Sequence, residues 1–558
     1  MKTFIYAFSM LLVSAAGFSQ SYSWGGRFGG EGEDVVLKMH VDAAGNSYTT
    51  GYFTNTSDFD ISDGVFTLEG GDFYEAFVQK TDTNGNFVWA KKFGGESFDN
   101  GTDVTTDAAG NVYITGVYQE SADFDPGAGE FILTSSGGLD IFVVKLDPNG
   151  NFIWAKSMGG VEYEETSAID TDALGNIYLS GYFYNEMNFD AGQSNFSLTP
   201  AGWSDGFVTK LNSDGTFAWA KQFGGDDFDL SLGMKVMPSG DLYFVGNYRG
   251  TADFNPDPAI VNNLTAELDA GFLLHLTADG DFVNAVHIGE ATQGMNLMSV
   301  DVDALGSAYI TGYFGGELAL GLINGVETNL VAPDFYNGLV LKVNTNGSMD
   351  WATQFTGEQA SVPYTVAVNT AGETLVSGFY GGTLQMGDIM LTMESENAME
   401  SFLAKLDANG NFTNGYRFGG INFVDKGGMG IDAENNIYVT AAFDTTADIN
   451  PDANGTNFVT SAAFRDNFLI KMSDSALNVK DQSNANSSLL AYPNPATTQI
   501  TLGLKDAVAG LPYEIADVSG RIVKNGKLDL TQQIDLSNLH AGVYVVNVGR
   551  AYCKIIKY

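Results

Sequence analysis

Residues 84–95 read NGNFVWAKKFGG, and the phrase returns as NGNFIWAKSMGG at 149–160 and DGTFAWAKQFGG at 214–225. A second phrase, D-x-x-G-N-x-Y-x-x-G-Y-F, begins at Asp42, Asp107 and Asp172 and recurs less faithfully at Met237, Asp303, Asn369 and Asp432. Its copies start 63 to 66 residues apart. A fixed period of this kind predicts seven structural repeats.

Each repeat has the pattern of β-strands joined by tight turns. In DIFVVKLD at 140–147, apolar residues alternate between the two sides of an extended chain. Asn-Gly or Asp-Gly pairs occur at 84–85, 149–150, 214–215, 279–280, 346–347 and 409–410. Because Asn, Asp and Gly tolerate the positive φ of a two-residue hairpin, each pair predicts such a hairpin.

Five of the six tryptophans share one position of the repeat. The position after each hairpin is occupied by Trp24, Trp89, Trp154, Trp219, Asn284, Trp351 and Asn414. Burial of an indole removes roughly 150–250 Å² from water. We therefore expect these rings to be core anchors between neighbouring sheets.

The two ends of the repeat region complement each other. The seventh copy stops at Phe468-Leu469-Ile470-Lys471 without its Trp-Ala-Lys strand, whereas SYSWGGRFGG at 21–30 precedes the first copy without a partner. We expect the N-terminal strand to lie beside the last ones and to cover their edge. The sequence thus predicts an all-β chain with a seven-bladed β-propeller over residues 20–475, closed by its N-terminal strand.

The repeat phrases also resemble a known family. D-x-x-G-N-x-Y-x-x-G and F-x-x-K-L-D-x-N-G-x-x-x-W-A-K-x-F-G-G are similar to the SBBP β-propeller repeats of exported bacterial proteins. The resemblance covers most of the chain and implies a propeller. It leaves the activity open, because propellers host many functions.

The N-terminal residues have the features of an export signal. MKTFIYAFSMLLVSAAGFS, residues 1–19, combines Lys2, an apolar run and a small-residue end, which predicts a signal peptide cleaved before Gln20. The apolar run is too short for a transmembrane segment. The single cysteine, Cys553, has no partner for an internal disulfide, so packing, hairpins or ions must hold the fold.

A polar stretch separates the repeats from a different C-terminal module. It predicts a linker at 476–486 and a domain at 487–558. The domain's ordered landmarks are Tyr492-Pro493-Asn494-Pro495, Asp517-Val518-Ser519-Gly520-Arg521, Gly542-Val543-Tyr544 and a basic-aromatic end. They resemble the type A C-terminal sorting domain of the type IX secretion system. An ordinary adhesion sandwich is the alternative.

This second resemblance implies a location and a partner. Sorting domains of this type are small β-sandwiches that the type IX secretion machinery recognises at the outer membrane of Gram-negative bacteria. The chain would then be secreted, or attached to the cell surface through lipopolysaccharide.

The charge of the chain excludes one class of partner. The net charge is −42, and residues 487–558 hold seven Lys or Arg against five Asp or Glu, so the negative charge belongs to the repeats. Nucleic acid is excluded as a partner, because phosphate binding rests on cationic contacts.

Residues that occur in every repeat fit a structural role better than a catalytic one. Asp42 and its equivalents precede turns and predict local hydrogen bonds to backbone N–H groups. The repeated lysines, of which Lys145 is one, predict solvated or bridging side chains.

Few residues suggest catalysis. His275 stands where other repeats have a Lys, and His287 lies twelve residues later, where the two could face each other across a hairpin as a zinc or catalytic pair. No nucleophile elbow, phosphate loop or dinucleotide fingerprint is present. The sequence predicts that the protein is not an enzyme.

Acidic loops are the best candidates for a metal site. Alternating oxygen donors of the kind that bind calcium occur in pairs at Asp58/Asp60 and Asp123/Asp125 and in longer series at Asp253, Asn255, Asp257 and at Asp448, Asn450, Asp452, Asn454. Val459 stands where a calcium loop has a bidentate Glu. The alternative is a set of acidic turn residues that only solvate the loops.

The fourth to sixth copies are less regular, and either relaxed packing or a binding face would explain the irregularity. Trp203, Phe335, Tyr336 and Tyr380 would offer aromatic surface to a glycan or protein ligand. The sequence predicts a secreted or surface-attached scaffold for binding or adhesion. The alternative is an extracellular polysaccharide- or peptide-degrading hydrolase or lyase that uses the central funnel.

Overall fold

The computed structural model contains two compact units, Met1–Ala476 and Leu477–Tyr558. It describes residues 20–62, 64–190, 195–393, 399–421, 424–452, 455–474, 490–503, 510–517, 521–529, 531–548 and 551–558. The predicted signal peptide and linker therefore lie outside the described residues. Every regular element within the described ranges is a β-strand, and none of those ranges contains a helix that could cross a membrane.

The first unit consists of seven four-stranded antiparallel repeats. Their first strands are Asp34–Val41, Asp99–Thr106, Glu164–Thr171, Asp229–Val236, Met295–Val302, Ser361–Val368 and Val424–Ile431. Their second strands are Ser47–Phe53, Val112–Asp123, Ile177–Phe183, Leu242–Asp253, Ala308–Ile323, Thr374–Tyr380 and Ile437–Asp448. Within each repeat, strands that follow one another in sequence pair with one another.

The third and fourth strands complete each repeat. The third strands are Glu75–Thr81, Ile132–Leu146, Asp205–Leu211, Asn263–Leu276, Val326–Val343, Glu400–Leu406 and Phe458–Asp474. The fourth strands of repeats 1 to 6 are Phe87–Gly95, Phe152–Gly160, Phe217–Gly225, Phe282–Ala291, Met349–Gly357 and Phe412–Ile421.

The fourth strand of repeat 7 comes from the N-terminus. Gln20–Gly30 pairs antiparallel with Phe458–Asp474, and Arg27 lies opposite Phe468. The predicted pairing of the first strand with the last repeat is confirmed. It covers an edge whose N–H and C=O groups would otherwise be unpaired.

An excursion between the second and third strands links each repeat to the preceding one. Separate short strands form it at Thr56–Asp58, Thr67–Glu69, Met187–Asn188, Ser197–Leu198, Thr383–Met386 and Ile389–Thr392. In repeats 2, 4, 5 and 7 the second and third strands themselves continue through it. The excursion of repeat 2, for example, pairs Asp123 with Gly94 at the end of the preceding fourth strand.

The tight turns differ from the predicted two-residue hairpins. In the turn at 82–86, Gly85 N donates to Asp82 O (3.0 Å), and Asp82 N donates to Asn86 O (2.9 Å). Gly85 has a φ of +85°, whereas Asn84 is not among the residues with positive φ. This is the longer turn that needs one left-handed residue. The prediction of two positive φ values was wrong here, because the Asp82 carboxylate ties the turn to the N–H groups of Asn84 and Asn86.

The tryptophans lie between repeats, as predicted. The Trp154 ring packs against Tyr113 of its own repeat, with centroids 6.3 Å apart. On its other side lies Gly215, in the turn of the next repeat, where an added Cβ would come within 2.8 Å of the indole. Trp24, Trp89, Trp219 and Trp351 make the same two contacts.

The second unit has two antiparallel sheets around one apolar core. Leu490–Tyr492, Gln499–Gly503 and Gln533–Asp535 form the smaller sheet, and Pro512–Asp517, Ile522–Lys527, Gly542–Val548 and Ala551–Lys557 form the larger. Ile500 and Ile534 of the first sheet share a buried cluster with Ile515 and Val546 of the second. The side chain of Cys553 is outside the described residues.

Candidate functional site

The repeated Asp, Tyr and Lys residues form a structural unit. Asp107 accepts hydrogen bonds from the backbone N–H groups of Ala109 and Asn111 (both 2.9 Å) and from the Tyr113 hydroxyl (2.9 Å). Lys145 lies 4.9 Å from the centre of the Tyr113 ring and donates to Ser213 O of the next repeat (3.0 Å). The predicted local role of the aspartates and bridging role of the lysines are confirmed.

The acidic loops are held by their own backbone N–H groups. Asp253 accepts from Asn255 N (3.0 Å) and Asn262 N (2.8 Å), and Asn255 in turn accepts from Asp257 N (3.0 Å). Asp448, Asn450 and Asp452 repeat this arrangement, and Asn454 lies outside the described residues. In the described part of the chain, no three His, Cys, Asp or Glu side chains come together as a metal site. Calcium binding by the Asp and Asn residues of these two loops stays a prediction.

The predicted facing of His275 and His287 was wrong. Cross-strand pairing places His275 opposite Asn284 and His287 opposite Phe272. Phe272 and His275 are three residues apart on one strand, so the two histidines point to opposite faces of the sheet. His275 stacks on Tyr243 at 4.2 Å, where other repeats have Lys over Tyr, and His287 Nδ1 lies 2.6 Å from the Tyr248 hydroxyl.

Polar side chains on neighbouring first strands form a cluster that the sequence did not reveal. Asp170 accepts a hydrogen bond from Val236 N of the next repeat (3.1 Å), and Asp301 accepts one from Val368 N (2.8 Å). Lys235 lies between the two carboxylates, 3.9 Å from Asp170 and 3.7 Å from Asp301. The signal in the sequence was the variability of this strand position between otherwise similar repeats.

The same cluster contains the imidazole of His40, in the first strand of repeat 1, and its neighbour is a hydroxyl group of repeat 2. His40 Nε2 lies 2.9 Å from Thr106 Oγ1. Burial lowers the pKa of His40 to about 4, so the ring is neutral at physiological pH. Burial also raises the pKa of Asp103 to about 6.

One edge of the repeats carries a concentration of aromatic rings. In an antiparallel repeat, the starts of strands one and three and the ends of strands two and four lie at the same edge. Hydrogen bonds join nearly equivalent positions of neighbouring first strands, as between Asp170 and Val236 and between Asp301 and Val368. Neighbouring first strands therefore run in the same direction, and the edges at which they start lie on one side of the repeats.

We call the rings at this edge the aromatic rim. Its contacting members are Tyr52, Tyr74, Phe98, Tyr182, Tyr184, Trp203, Phe228, Tyr313, Tyr336, Tyr364 and Phe379. Trp203 and Phe228 stack with centroids 5.9 Å apart and planes inclined by 20°. Trp203 is 69% exposed and Phe228 is 44% exposed, which makes this pair the most accessible part of the rim.

Three of the four predicted aromatic binding residues are on the surface. Trp203, Phe335 and Tyr336 are exposed. Tyr380 is fully buried, and its hydroxyl donates to Glu400 (3.0 Å), so its prediction as a surface residue was wrong. Sequence reasoning missed Phe228, whose partner Trp203 is in the preceding repeat.

Comparison with protein families identifies the second unit. Residues 490–557 match the family of secretion system C-terminal sorting domains. This finding agrees with the four landmarks in the sequence and confirms the predicted type IX sorting domain. The sorting domain indicates export to the cell surface or the extracellular space, with recognition by the type IX secretion machinery.

The chain is also similar to two longer proteins. The uncharacterized WD repeat-containing protein L264 of Acanthamoeba polyphaga mimivirus is 23% identical over 452 residues, which cover 67% of this chain and 32% of the viral protein. The regulatory protein FlaEY of Caulobacter vibrioides is 23% identical over 377 residues, or 55% of this chain and 39% of that protein. This chain thus spans less than half the length of either relative.

A solved structure of low similarity also matches. The crystal structure of Sqt1 from Chaetomium thermophilum is 12% identical and aligns with a TM-score of 0.37. The alignment covers 76% of this chain and 97% of that one.

Proposed function

We propose that the exported chain is a binding scaffold whose seven repeats are the blades of one closed β-propeller of the SBBP type. Contacts between repeats 7 and 1 support closure: Val36 N donates to Asn467 Oδ1 (2.8 Å), and the Tyr438 hydroxyl donates to Gly45 O (2.9 Å). The paired N-terminal strand supports it as well. The similarity to a WD repeat-containing protein is consistent with this fold.

The aromatic rim is the surface through which we propose that it binds. The observation that carries this proposal is the exposed Trp203–Phe228 stack. Large apolar rings that remain accessible cost free energy in water, and such residues dominate the energetics of binding surfaces. A stacked pair of exposed rings is explained most simply by a ligand that covers it.

The ligand class that we propose is a neutral glycan. Sugar rings present an apolar C–H face that fits a flat aromatic ring, and their hydroxyls donate to carboxylates. Asp226 and Asp227 precede Phe228 and supply such acceptors. The net charge of −42 disfavours polyanionic ligands.

The test is binding of the purified full chain to an array of neutral and charged glycans. We expect neutral glycans to be retained and the variant Trp203→Ala to lose most of the signal. Phe196→Ala is the matched control, because Phe196 is also exposed (38%) but packs on Phe217 at the start of a fourth strand, which is the opposite edge. Equal binding by both variants, or capture of cationic peptides with no glycan retained, would contradict the proposal.

A hydrolase is the rival function, and one observation favours it. The His40 imidazole lies beside the Thr106 hydroxyl, which is the geometry of a base next to a nucleophile. Turnover of polysaccharide or peptide substrates that disappears in His40→Ala would favour the rival. Binding without turnover in the wild-type chain would favour the scaffold.

A further inference from the structure

The contacts between successive repeats explain the Gly-Gly end of the repeated phrase. We number each interface by the repeat that precedes it. At interface 3, the carboxyl groups of Asp205 and Asp229 both lie against Gly224. A Cβ at Gly224 would come within 2.8 Å of Asp205 Oδ1 and 3.0 Å of Asp229 Oδ2, so only glycine leaves room for the two acids.

Four interfaces contain a pair of buried carboxyl groups of this kind. One acid belongs to the third strand of a repeat. It is the first residue of that strand or, where the strand also runs through the excursion, the first residue after the excursion. The other acid is the first residue of the first strand of the next repeat. The pairs are Glu75/Asp99 at interface 1, Asp140/Glu164 at interface 2, Asp205/Asp229 at interface 3 and Asp466/Asp34 at interface 7. All eight side chains are at most 6% exposed. Two ionised carboxylates in such a place are costly unless a positive charge accompanies them.

Some interfaces supply that positive charge from one position of the fourth strand. At interface 7, Arg27 lies 2.6 Å from Asp466. At interface 1, Lys92 lies 3.1 Å from Glu75. The same position at interface 6 is Arg417, which lies 3.5 Å from Glu400.

Interfaces 2 and 3 have two acids but a neutral residue at this position. Ser157 lies beside Asp140, with 3.4 Å between Oγ and Oδ2. Gln222 donates to Asp205 (3.2 Å). At interfaces 4 and 5, where the position holds His287 and Gln354, the places of the two acids are occupied by Ala270, Met295, Asn337 and Ser361.

Buried carboxylate oxygens without a hydrogen-bond partner also show that interfaces 2 and 3 have two acids but no cation within the described part of the chain. Asp140 Oδ1, Asp205 Oδ1 and Asp229 Oδ1 are inaccessible to solvent and have no hydrogen-bond partner. Asp99 and Asp466 also have one such oxygen, but Lys92 or Arg27 accompanies their pairs. Among the residues that the structure describes, no cationic side chain acts on the acids of interfaces 2 and 3.

We propose that the carboxyl pairs at interfaces 2 and 3 each hold one proton at neutral pH. The proton does there what a lysine or arginine does at interfaces 1 and 7. Further acids nearby favour the protonated form of the pairs, because their negative charge repels an ionised carboxylate. Glu162 acts in this way on Glu164, and Asp226 and Asp227 act on Asp229.

Within each pair at interfaces 2 and 3, one acid has a pKa above 7 and the other a pKa below 7, as one shared proton at neutral pH requires. Burial, followed by the neighbouring acids, raises the pKa of Glu164 and of Asp229 to about 8. Burial raises the pKa of their partners Asp140 and Asp205 to about 6. At the interfaces with a side-chain cation, burial raises the pKa of Asp34 and Asp99 to about 7.

The raised pKa values link folding to pH. Between the ordinary pKa of a carboxyl group and its raised value in the fold, the folded chain binds more protons than the unfolded chain. Stability contributed by these pairs is therefore present in full at low pH and is lost as pH rises through about 8.

The decisive variant is Gln222→Lys in the full chain, which gives interface 3 the cation that Lys92 supplies at interface 1. We expect the wild-type melting temperature to fall by a few degrees between pH 6 and pH 9, and the fall to be smaller in the variant. Gln354→Lys is the matched control: Gln222 and Gln354 each donate to a carbonyl group of an excursion, but interface 5 has no acid pair. The control should keep the wild-type pH dependence.

A second measurement does not depend on stability. The infrared C=O stretch of a protonated carboxyl should be present in the wild-type chain at pH 7 and weaker in Asp229→Asn. Absence of this band at pH 7, or an equal pH dependence in Gln222→Lys and wild type, would overturn the proposal. So would a reversible loss of the pH dependence on adding calcium or magnesium, because a metal ion would then be the missing cation.

Discussion

At the scale of single residues, Gly215 shows why the Asn-Gly and Asp-Gly pairs recur. Its φ is +82°, and the Trp154 indole fills the space that a Cβ would need. We expect Gly215→Ala to lower the free energy of unfolding by about 1 kcal/mol for the left-handed backbone. Forcing the Cβ against the ring should add about 1–3 kcal/mol. Denaturant melts monitored by tryptophan fluorescence would measure the loss.

A variant at Gly325 separates the cost of the left-handed backbone from the cost of the contact between the Cβ and the indole. Its φ is +79°, and nothing lies within 4 Å of the position of its Cβ. Gly325→Ala should therefore show the backbone cost alone. Equal losses in the two variants would mean that the indole contact contributes nothing.

The sequence predicted some residue roles and missed others. The roles of Asp107 and Trp154 followed from their regular recurrence. Tyr380 was placed wrongly because the aromatic position of the second strand that it shares with Phe53 and Tyr118 is buried in the core. The acid pairs at the interfaces were not found, since their two members come from different repeats and neither stands in a known motif.

At the scale of strands, the N-terminal strand is the element on which the last repeat depends. Deletion of residues 20–30 removes the partner of Phe458–Asp474 and takes Arg27 away from the buried Asp466. We expect the deleted chain to aggregate or to melt at a much lower temperature, because an open edge and an uncompensated carboxylate remain.

Addition of the peptide QSYSWGGRFGG tests this expectation directly. It should restore solubility and raise the melting temperature of the deleted chain in a concentration-dependent way. The same peptide with Trp24→Ala should act more weakly, because it lacks the ring that packs on Tyr438 and Gly85. A scrambled peptide with equal effect would contradict strand pairing as the cause.

The calcium prediction belongs to the loops at 253–257 and 448–452. If calcium joins these oxygen donors, a chelator should lower the melting temperature of the full chain, and added calcium should restore it. Asp257→Asn should reduce the response. An unchanged melt would support the alternative in which Asx hydrogen bonds alone shape the loops.

The sequence specified most strands but not all of their details. Seven repeats and the pairing of the first strand could be predicted because a missing strand at one end matched a spare strand at the other. The turn geometry could not, since Asn-Gly fits either a two-residue or a longer turn. Asn324-Gly325, where both φ values are positive, is the two-residue form.

At the scale of the whole molecule, the two units carry different features. The repeat unit carries the negative charge and the aromatic rim, whereas the second unit matches a sorting domain. The sequence predicted this division, because the landmarks of the sorting domain are local. It could not predict the rim, since Trp203 and Phe228 come together only through the contact of two repeats.

Delivery should therefore depend on the second unit alone. A chain that ends at residue 489 lacks the whole matched segment, and we expect it to accumulate inside the cell envelope instead of reaching the surface or the medium. Immunoblots of the envelope and medium fractions would measure this, and the retained protein should melt like the repeat unit of the full chain if its fold is intact. As the reciprocal variant, residues 477–558 joined to an exported reporter protein should carry that reporter to the outside. Surface delivery of the truncated chain, or retention of the reporter in a strain with a working type IX system, would show that the sorting signal lies elsewhere.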